Sequence, residues 1–385
     1  MRLHILRICF SVGFGLLLLL PAVVQVSGWK EKTGSFENKQ KTAWHTFNWK
    51  HIDSLPPLYE TYYNEHFPAR NSLIFGYNFF SARFFEKSPK PELITVGKNG
   101  WLFLSNNEMN VFTGKMKFSD FDLRRTLSEI DYRSKVCHEM GAEYRVVIVP
   151  SKYSIYAEYM PNSIRKCNGP NATDQFIQYL NTHSLVKVLD LRPPLVAAKN
   201  EGQLFVKGDN HWNGLGTYFA YKALIQWLKK DYPIPPPHEL QEFRVYDTLQ
   251  RGGNLVDMLG MAEIWKGEVK KLVPLKPLPV HPASGVEYPC PKEFPYADEY
   301  EKRYLNTDTT LPGLMVVRES FTNDLFRNLL SSHFGKSLFI WDNWQHRLNA
   351  DIVKQEKPRV VLCILIESMT DCFENYPDQP PAPIP

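Results

Sequence analysis

The sequence has few cysteines, six in all, and none of them form a Cys-x-x-Cys pair. That spacing argues against a zinc knot. Cys9 lies in an apolar run, which leaves an odd number of cysteines beyond it. Cys363 and Cys372 are close enough in sequence to pair in an oxidising compartment. There is no basic tract of the kind that follows phosphates, and the net charge is only +4 over 385 residues. Nucleic acid is therefore not indicated as a partner. No Gly-x-Ser-x-Gly elbow is present, so any serine nucleophile must be found by other signs.

What the sequence does contain starts at its N-terminus. Arg2 and Arg7 precede an apolar run over residues 8–26. This reads as an export signal. Val26 and Gly28 fit the small-residue rule for cleavage, while the length of the run also suits a membrane span. The basic head keeps the N-terminal side in the cytoplasm. Residues 1–28 are thus a signal anchor or signal peptide. The remainder is expected on the periplasmic side, inner-membrane anchored or secreted. Residues 29–90 read as a polar linker followed by an aromatic-rich helical extension, with Trp44, Tyr62, Phe79 and Phe84 among its rings. Asn171-Ala172-Thr173 matches a glycosylation sequon, which matters only in a eukaryotic host.

From residue 91 the pattern alternates between buried strands and helices. Asn99-Gly100 between apolar residues signals a hairpin. A helix is expected over 118–140, capped by Ser119 or Asp120 and ended at Gly141. Strands are expected over 145–149, 185–189, 314–317, 337–341 and 360–366, with helices over 174–180, 212–230, 323–332 and 347–356. Such alternation indicates parallel α/β architecture. Residues 91–375 form the main domain, interrupted by a proline-rich irregular insertion over 232–312. Residues 376–385 read as a disordered proline-rich tail.

The chemistry centres on Gly208-Asp209-Asn210-His211-Trp212-Asn213-Gly214. In an extended backbone residues i and i+2 project to the same side, so Asp209 is placed to orient His211. Ser320 lies between the 314–317 strand and the next helix, where α/β ligand sites form. That position also puts its hydroxyl near the N–H groups of a helix N-terminus, which can stabilise an oxyanion. A serine needs a base to take its proton and a carboxylate to hold that base. Read blandly, Ser320 is an ordinary N-cap and His211 a buried structural histidine. Metal ligation by Asp209 and His211 is a further alternative, but no third ligand stands nearby.

Several segments, in order, resemble the alginate O-acetyltransferases of the AlgJ and AlgX type and the related DHHW-motif proteins. They are Tyr62-Tyr63-Asn64-Glu65-His66-Phe67-Pro68-Ala69-Arg70, Gly97-Lys98-Asn99-Gly100-Trp101-Leu102-Phe103, Pro150-Ser151-Lys152-Tyr153, Asp209-Asn210-His211-Trp212 and Gly252-Gly253-Asn254-Leu255. The resemblance implies an SGNH hydrolase-like three-layer α/β/α fold around a mostly parallel sheet. It implies Ser320 as nucleophile, His211 as base and Asp209 as its orienter, with Trp212, Lys152 and Tyr153 near the substrate and no cofactor or metal. The reaction implied is acetyl transfer to an exopolysaccharide or cell-envelope glycan, with acetyl relayed from a membrane-bound O-acyltransferase. A carbohydrate acetylesterase with the same triad, or a non-catalytic envelope scaffold, are the alternatives. This chain departs from the family pattern in placing Arg318-Glu319 before the serine and Asn254 where the family has Asp.

Overall fold

The computed structural model describes residues 2–27, 42–44, 55–262, 265–285 and 287–379. The chain divides into two compact units, one of residues 1–89 with 259–261, the other of residues 90–258 and 262–385. In the first unit, helices span Arg2–Ser27, Leu55–His66 and Arg70–Phe84. Asn78 donates to the Leu259 carbonyl at 2.8 Å within this unit. Among the described residues no helix is long and apolar enough to cross a membrane. The expected linker falls almost wholly outside the described residues.

Among its described residues the second unit carries eleven strands. β1 (Ile94–Val96) and β2 (Leu102–Leu104) form the expected hairpin, in the register Val96 to Leu102. Asn99 and Gly100 take positive φ at its tip, which these two residue types tolerate best. The others are β3 (Glu143–Val149), β4 (Val188–Asp190), β5 (Phe243–Arg251), β6 (Lys266–Pro274), β7 (Val280–Pro282), β8 (Glu301–Asn306), β9 (Gly313–Val317), β10 (Lys336–Ile340) and β11 (Val360–Ile366). Seven of them make one sheet in the order β4-β3-β11-β9-β10-β8-β7. The pairs from β4 to β10 are parallel; β8 runs antiparallel to β10 and to β7.

Both faces of this sheet are covered, which is why its central strands read as unbroken apolar runs. On β9, Leu314 and Val316 enter one core, Met315 and Val317 the other. The first core is closed by the helices Gly214–Leu228 and Asp324–Ser331, through Leu215, Tyr218, Leu224, Phe326 and Leu330. The second is closed by Asp120–Glu139, Ala172–His183 and Ala350–Glu356, through Ile130, Cys137, Phe176, Leu180 and Ile352. The result is the expected three layers. Ser119 caps its helix with a reciprocal bond to Asp122, as the sequence predicts.

Several expectations are corrected. The insertion over 232–312 is more regular than its prolines suggest. β5 and β6 form a nine-residue-long antiparallel ribbon, and β7 and β8 join the main sheet. Cys363 and Cys372 are both buried and unbonded. Asn171 is no glycan acceptor site: it is buried, and its side chain caps the Ala172–His183 helix by accepting from Asp174 N–H. The start of the tail is pinned down, since Leu348 N–H donates to Asp378 at 2.7 Å and the Asp378 and Gln379 amides donate to Glu129. Residues 380–385 lie outside the described residues.

Candidate active site

β3, β11 and β9 lie side by side and end at the same edge of the sheet. Chain leaving that edge carries polar side chains from each strand: Ser151 and Lys152 after β3, Glu367 after β11, and Glu319 and Ser320 after β9. Ligand sites of parallel sheets form at such an edge.

Ser320, His211 and Asp209 form one hydrogen-bonded chain there. His211 Nε2 lies 2.9 Å from Ser320 Oγ, and His211 Nδ1 lies 2.6 Å from Asp209 Oδ1. Both ring nitrogens are thereby engaged, which leaves none for a metal. Among the described residues no cluster of three or more metal-ligating side chains occurs. The histidine and aspartate side chains are 29% and 21% exposed, so the chain of contacts reaches solvent without being flooded by it.

The turn that holds Asp209 is built locally. Asp209 N–H donates to the Val206 carbonyl at 3.3 Å, Val206 N–H to the His211 carbonyl at 3.2 Å, and Phe205 bridges Trp212. Asp209 Oδ1 also accepts the His211 amide at 3.0 Å, and Oδ2 accepts the Asn254 amide at 3.0 Å. Burial is the largest influence on this carboxyl and pushes its pKa up. The His211 hydrogen bond, the His211 charge and the two amides together outweigh it and hold the group at about 2. Asn254 exchanges side-chain hydrogen bonds with Asn210 as well, accepting its N–H at 3.0 Å. The residue that departs from the family pattern is therefore a structural partner of the aspartate. Gly253 makes this approach possible: its φ is +130°, and a Cβ there would stand 2.4 Å from the Gly208 carbonyl oxygen.

Ser320 is not an N-cap. The cap of the following helix is Asn323, whose side chain accepts from Phe326 N–H. The expected oxyanion donors at that helix start are also already committed. Phe321 N–H donates to Glu319 Oε2 at 3.1 Å, Thr322 N–H to the Glu319 carbonyl at 3.2 Å, and Asn323 N–H to the Phe321 carbonyl at 2.9 Å. The charged pair before the serine does not distort this turn. Arg318 points away, pairing with Glu299 at 3.0 Å and lying over the Trp341 ring at 4.9 Å, while its amide donates to the Ile340 carbonyl. Glu319 folds inward; only 2% of it is exposed.

The three residues expected at the substrate are instead internal. Trp212 is buried and donates its indole N–H to the Phe321 carbonyl at 3.1 Å, with its ring stacked on Phe326 at 5.8 Å. Lys152 is buried, and its ammonium donates to the carbonyls of Leu102, Val206 and Lys207 at 2.9, 2.8 and 3.2 Å. Burial lowers its pKa to about 7, against the pull of Asp209 and Glu108. Tyr153 is fully buried, and its hydroxyl donates to the Leu104 carbonyl at 3.0 Å. None of the three offers a face to a ligand. They position the loops on which the site stands.

Sequence reasoning misses the acids beneath the site. Glu108 is buried, and burial first, then the charge of Glu367, raises its pKa to about 8. Glu367 is buried too and accepts from Ser151 N–H at 2.9 Å, Ser151 Oγ at 2.5 Å and Ser154 Oγ at 2.6 Å. With Glu319 they come from three distant segments, so no local spacing announces them.

A second Ser–His–Glu chain shows what distinguishes the first. His238 lies 3.0 Å from Ser332 Oγ and 3.2 Å from Glu242 Oε2. Ser332, however, is buried and donates its hydroxyl to the Leu329 carbonyl at 2.7 Å. Its proton is committed to the backbone, so it is a helix-end contact. Ser320 remains partly open to solvent.

A family model for the SGNH hydrolase-like domain of acetyltransferase AlgX matches residues 94–338, more than half of the chain. The chain belongs to this family. The chain is also similar to the probable alginate O-acetylase AlgJ of Pseudomonas putida, 26% identical over 276 residues, which is 71% of this chain and 63% of that protein. The protein of the same name from Pseudomonas syringae pv. tomato is 25% identical over 284 residues, 73% of this chain and 67% of that protein. The chain thus spans about two thirds of these relatives' length. Among solved structures, Bacillus cereus PatB1 shares the fold with a TM-score of 0.51 at 15% identity, over 72% of this chain and 97% of that one. A DHHW family protein from Eubacterium siraeum does so with a TM-score of 0.50 at 14% identity, over 75% of this chain and 100% of that one. The SGNH hydrolase-like fold, with its central sheet of mostly parallel strands, is therefore the fold of the second unit.

Proposed function

We propose that this AlgX-type domain is an O-acetyltransferase that carries acetyl on Ser320 to a hydroxyl of an exopolysaccharide or cell-envelope glycan. The observation that carries this reading is the unbroken contact from Asp209 through His211 to Ser320, at 2.6 and 2.9 Å. Asp209 is ionised and fixes the proton on Nδ1, which leaves Nε2 as the base. Ser320 Oγ attacks the donor's acetyl carbonyl as its proton passes to Nε2. The donor's leaving oxygen takes that proton as its bond to carbon breaks, and acetyl-Ser320 remains. An acceptor sugar hydroxyl then gives its proton to Nε2 and attacks the ester carbonyl; the bond from that carbon to Ser320 Oγ breaks, and Oγ takes the proton back from Nε2.

The family membership and the two alginate O-acetylase relatives support acetyl transfer to a polysaccharide. Within this reading Asp209 orients, His211 acts as general base and Ser320 is the nucleophile. The basic head and apolar run of residues 1–28 support export to the periplasm, where a membrane-bound O-acyltransferase would supply the acetyl group.

The test is incubation with 4-nitrophenyl acetate, with and without candidate glycans, followed by mass analysis of Ser320 and of the sugar. Acetyl on Ser320 followed by transfer to sugar is the expected result. Release to water alone, at a rate no glycan changes, would establish the esterase instead. Equal reaction in Ser320→Ala would remove both.

A further inference from the structure

We propose that Glu319 is a positioning residue for Ser320, its charge deciding whether the serine hydroxyl faces His211. The inference rests on Ser320 being the nucleophile. Ser320 Oγ lies 2.9 Å from His211 Nε2 and 3.2 Å from Glu319 Oε2. A hydroxyl has one proton to give. It can be donated to the imidazole, the productive direction, or to a carboxylate, but not to both.

The carboxyl group is placed to compete. Glu319 Oε2 is held beside the serine by the Phe321 amide at 3.1 Å. Its Oε1 is buried with no hydrogen-bond partner in the protein. An ionised carboxylate with one oxygen unsolvated and unpaired is costly. The charged and titratable groups that act on it are few. Arg318, on the same turn, sends its guanidinium to Glu299 and Trp341. His211 faces it across the serine, and Glu108, on the helix Asn107–Thr113, is a buried acid whose own pKa the charge of Glu319 helps to raise. Burial is the largest influence on Glu319 and raises its pKa above the ordinary carboxylate value; the Phe321 amide and the His211 and Arg318 charges act in the opposite direction.

The consequence follows from the proton count. While Glu319 is neutral it draws the hydroxyl only weakly, and the Ser320 proton goes to His211. Once ionised, Glu319 attracts that proton and its charge opposes the oxyanion that forms when Oγ attacks an acyl carbon. The same carboxylate occupies the Phe321 N–H, the amide next to the nucleophile. Acylation therefore requires protonated Glu319 and declines on the alkaline side as it ionises.

The experiment is the pH dependence of Ser320 acetylation by 4-nitrophenyl acetate, followed as acetyl on the protein, in the wild type, Glu319→Gln and Glu108→Gln. In the wild type the rate falls on the alkaline side, approaching about tenfold per pH unit for one ionisation. Glu319→Gln carries a neutral amide that can donate to Oγ and accept from Phe321 N–H. Its alkaline decline disappears, and its rate at the wild-type optimum stays within about threefold, since the hydroxyl still has His211 as its acceptor. Glu108→Gln keeps the decline. An alkaline decline that persists in Glu319→Gln, or that vanishes equally in Glu108→Gln, overturns the inference while leaving acetyl-Ser320 intact. So does a folded Glu319→Gln that acetylates at no pH. If the wild type itself takes no acetyl, the reading of Ser320 as nucleophile fails first. Infrared difference spectra of wild type against Glu319→Gln then decide the remaining point: a protonated carboxyl band that titrates away in step with the alkaline fall in rate is expected, and its absence overturns the inference by itself.

Discussion

Trp212 donates its indole N–H to the main-chain carbonyl of Phe321 at 3.1 Å. This single bond ties the residue after His211 to the residue after Ser320, across more than a hundred positions of chain. His211 and Ser320 are thus held in register by a bond between their buried chain neighbours. Trp212→Phe keeps the stack on Phe326 and removes the bond. Stability should fall by about 1 kcal/mol, while acetylation of Ser320 falls by roughly ten- to a hundredfold, as expected when a reacting pair is misplaced by an ångström. Denaturant melts and acetylation rates measured together check this. Equal proportional losses in both would point to a purely structural tryptophan.

Asp209→Asn tests the orienting contact. An amide can present N–H to Nδ1 and so favour the tautomer with the proton on Nε2, which cannot accept from Ser320. Acetylation should drop on the order of 10³- to 10⁴-fold with the fold retained. A loss of less than about tenfold would mean that Asp209 does not set the tautomer.

Lys152→Met removes a buried ammonium that serves three carbonyls. Three backbone oxygens each lose a charged donor, so the expected loss of stability is roughly 3 kcal/mol. Substrate affinity at saturating stability (low temperature, no denaturant) should change little. A raised KM without any change in melting temperature would instead place Lys152 at the substrate.

Glu108 gives a pH prediction for stability. Its pKa is about 8 in the folded protein against an ordinary 4.5. Between those values the folded state keeps a proton that the unfolded state has released, so stability is full at the acid end and declines as pH rises towards 8. Glu108→Gln removes that decline, and its advantage over the wild type should grow to a few kcal/mol, on the order of the full linkage, by pH 8. Lys152, lowered to about 7, has the opposite slope at higher pH, so the comparison belongs below pH 8. Urea unfolding of both proteins at pH 5 and about pH 7 checks the sign; an equal difference at the two pH values would contradict it.

The parts legible in the sequence are those whose signal is local. β9, β10 and β11 are continuous apolar runs because helices cover both faces of the sheet. The contact between Asp209 and His211 follows from their spacing, and Ser320 from its place after β9. The β5–β6 ribbon is hidden because most of its residues are exposed, with charged and apolar ones interspersed, so no continuous apolar face marks it. Glu319 is marked in the sequence by its place before Ser320, but Glu108 and Glu367 are brought to it only by the order of the strands, and nothing in their own neighbourhoods distinguishes those two from solvated acids. Lys152 and Tyr153 are placed at the substrate only by the family resemblance of their stretch, and nothing local in the sequence announces their burial. The three carbonyls that bury Lys152 belong to segments about fifty residues away on either side.

β11 is the last of the seven sheet strands in chain order, yet it lies between β3 and β9. Until it is in place, the β4–β3 pair and the β9–β10–β8–β7 group share no ladder. Assembly of the sheet is therefore long-range by construction, with its central strand delivered last. Because Glu367 directly follows β11 and accepts from Ser151 and Ser154 after β3, the floor of the pocket closes in that same final event. A chain emerging from a ribosome would hold Ser320 apart from the local Asp209–His211 pair until β9 and β11 had cleared, so the three-residue contact belongs to the completed sheet and to no earlier form.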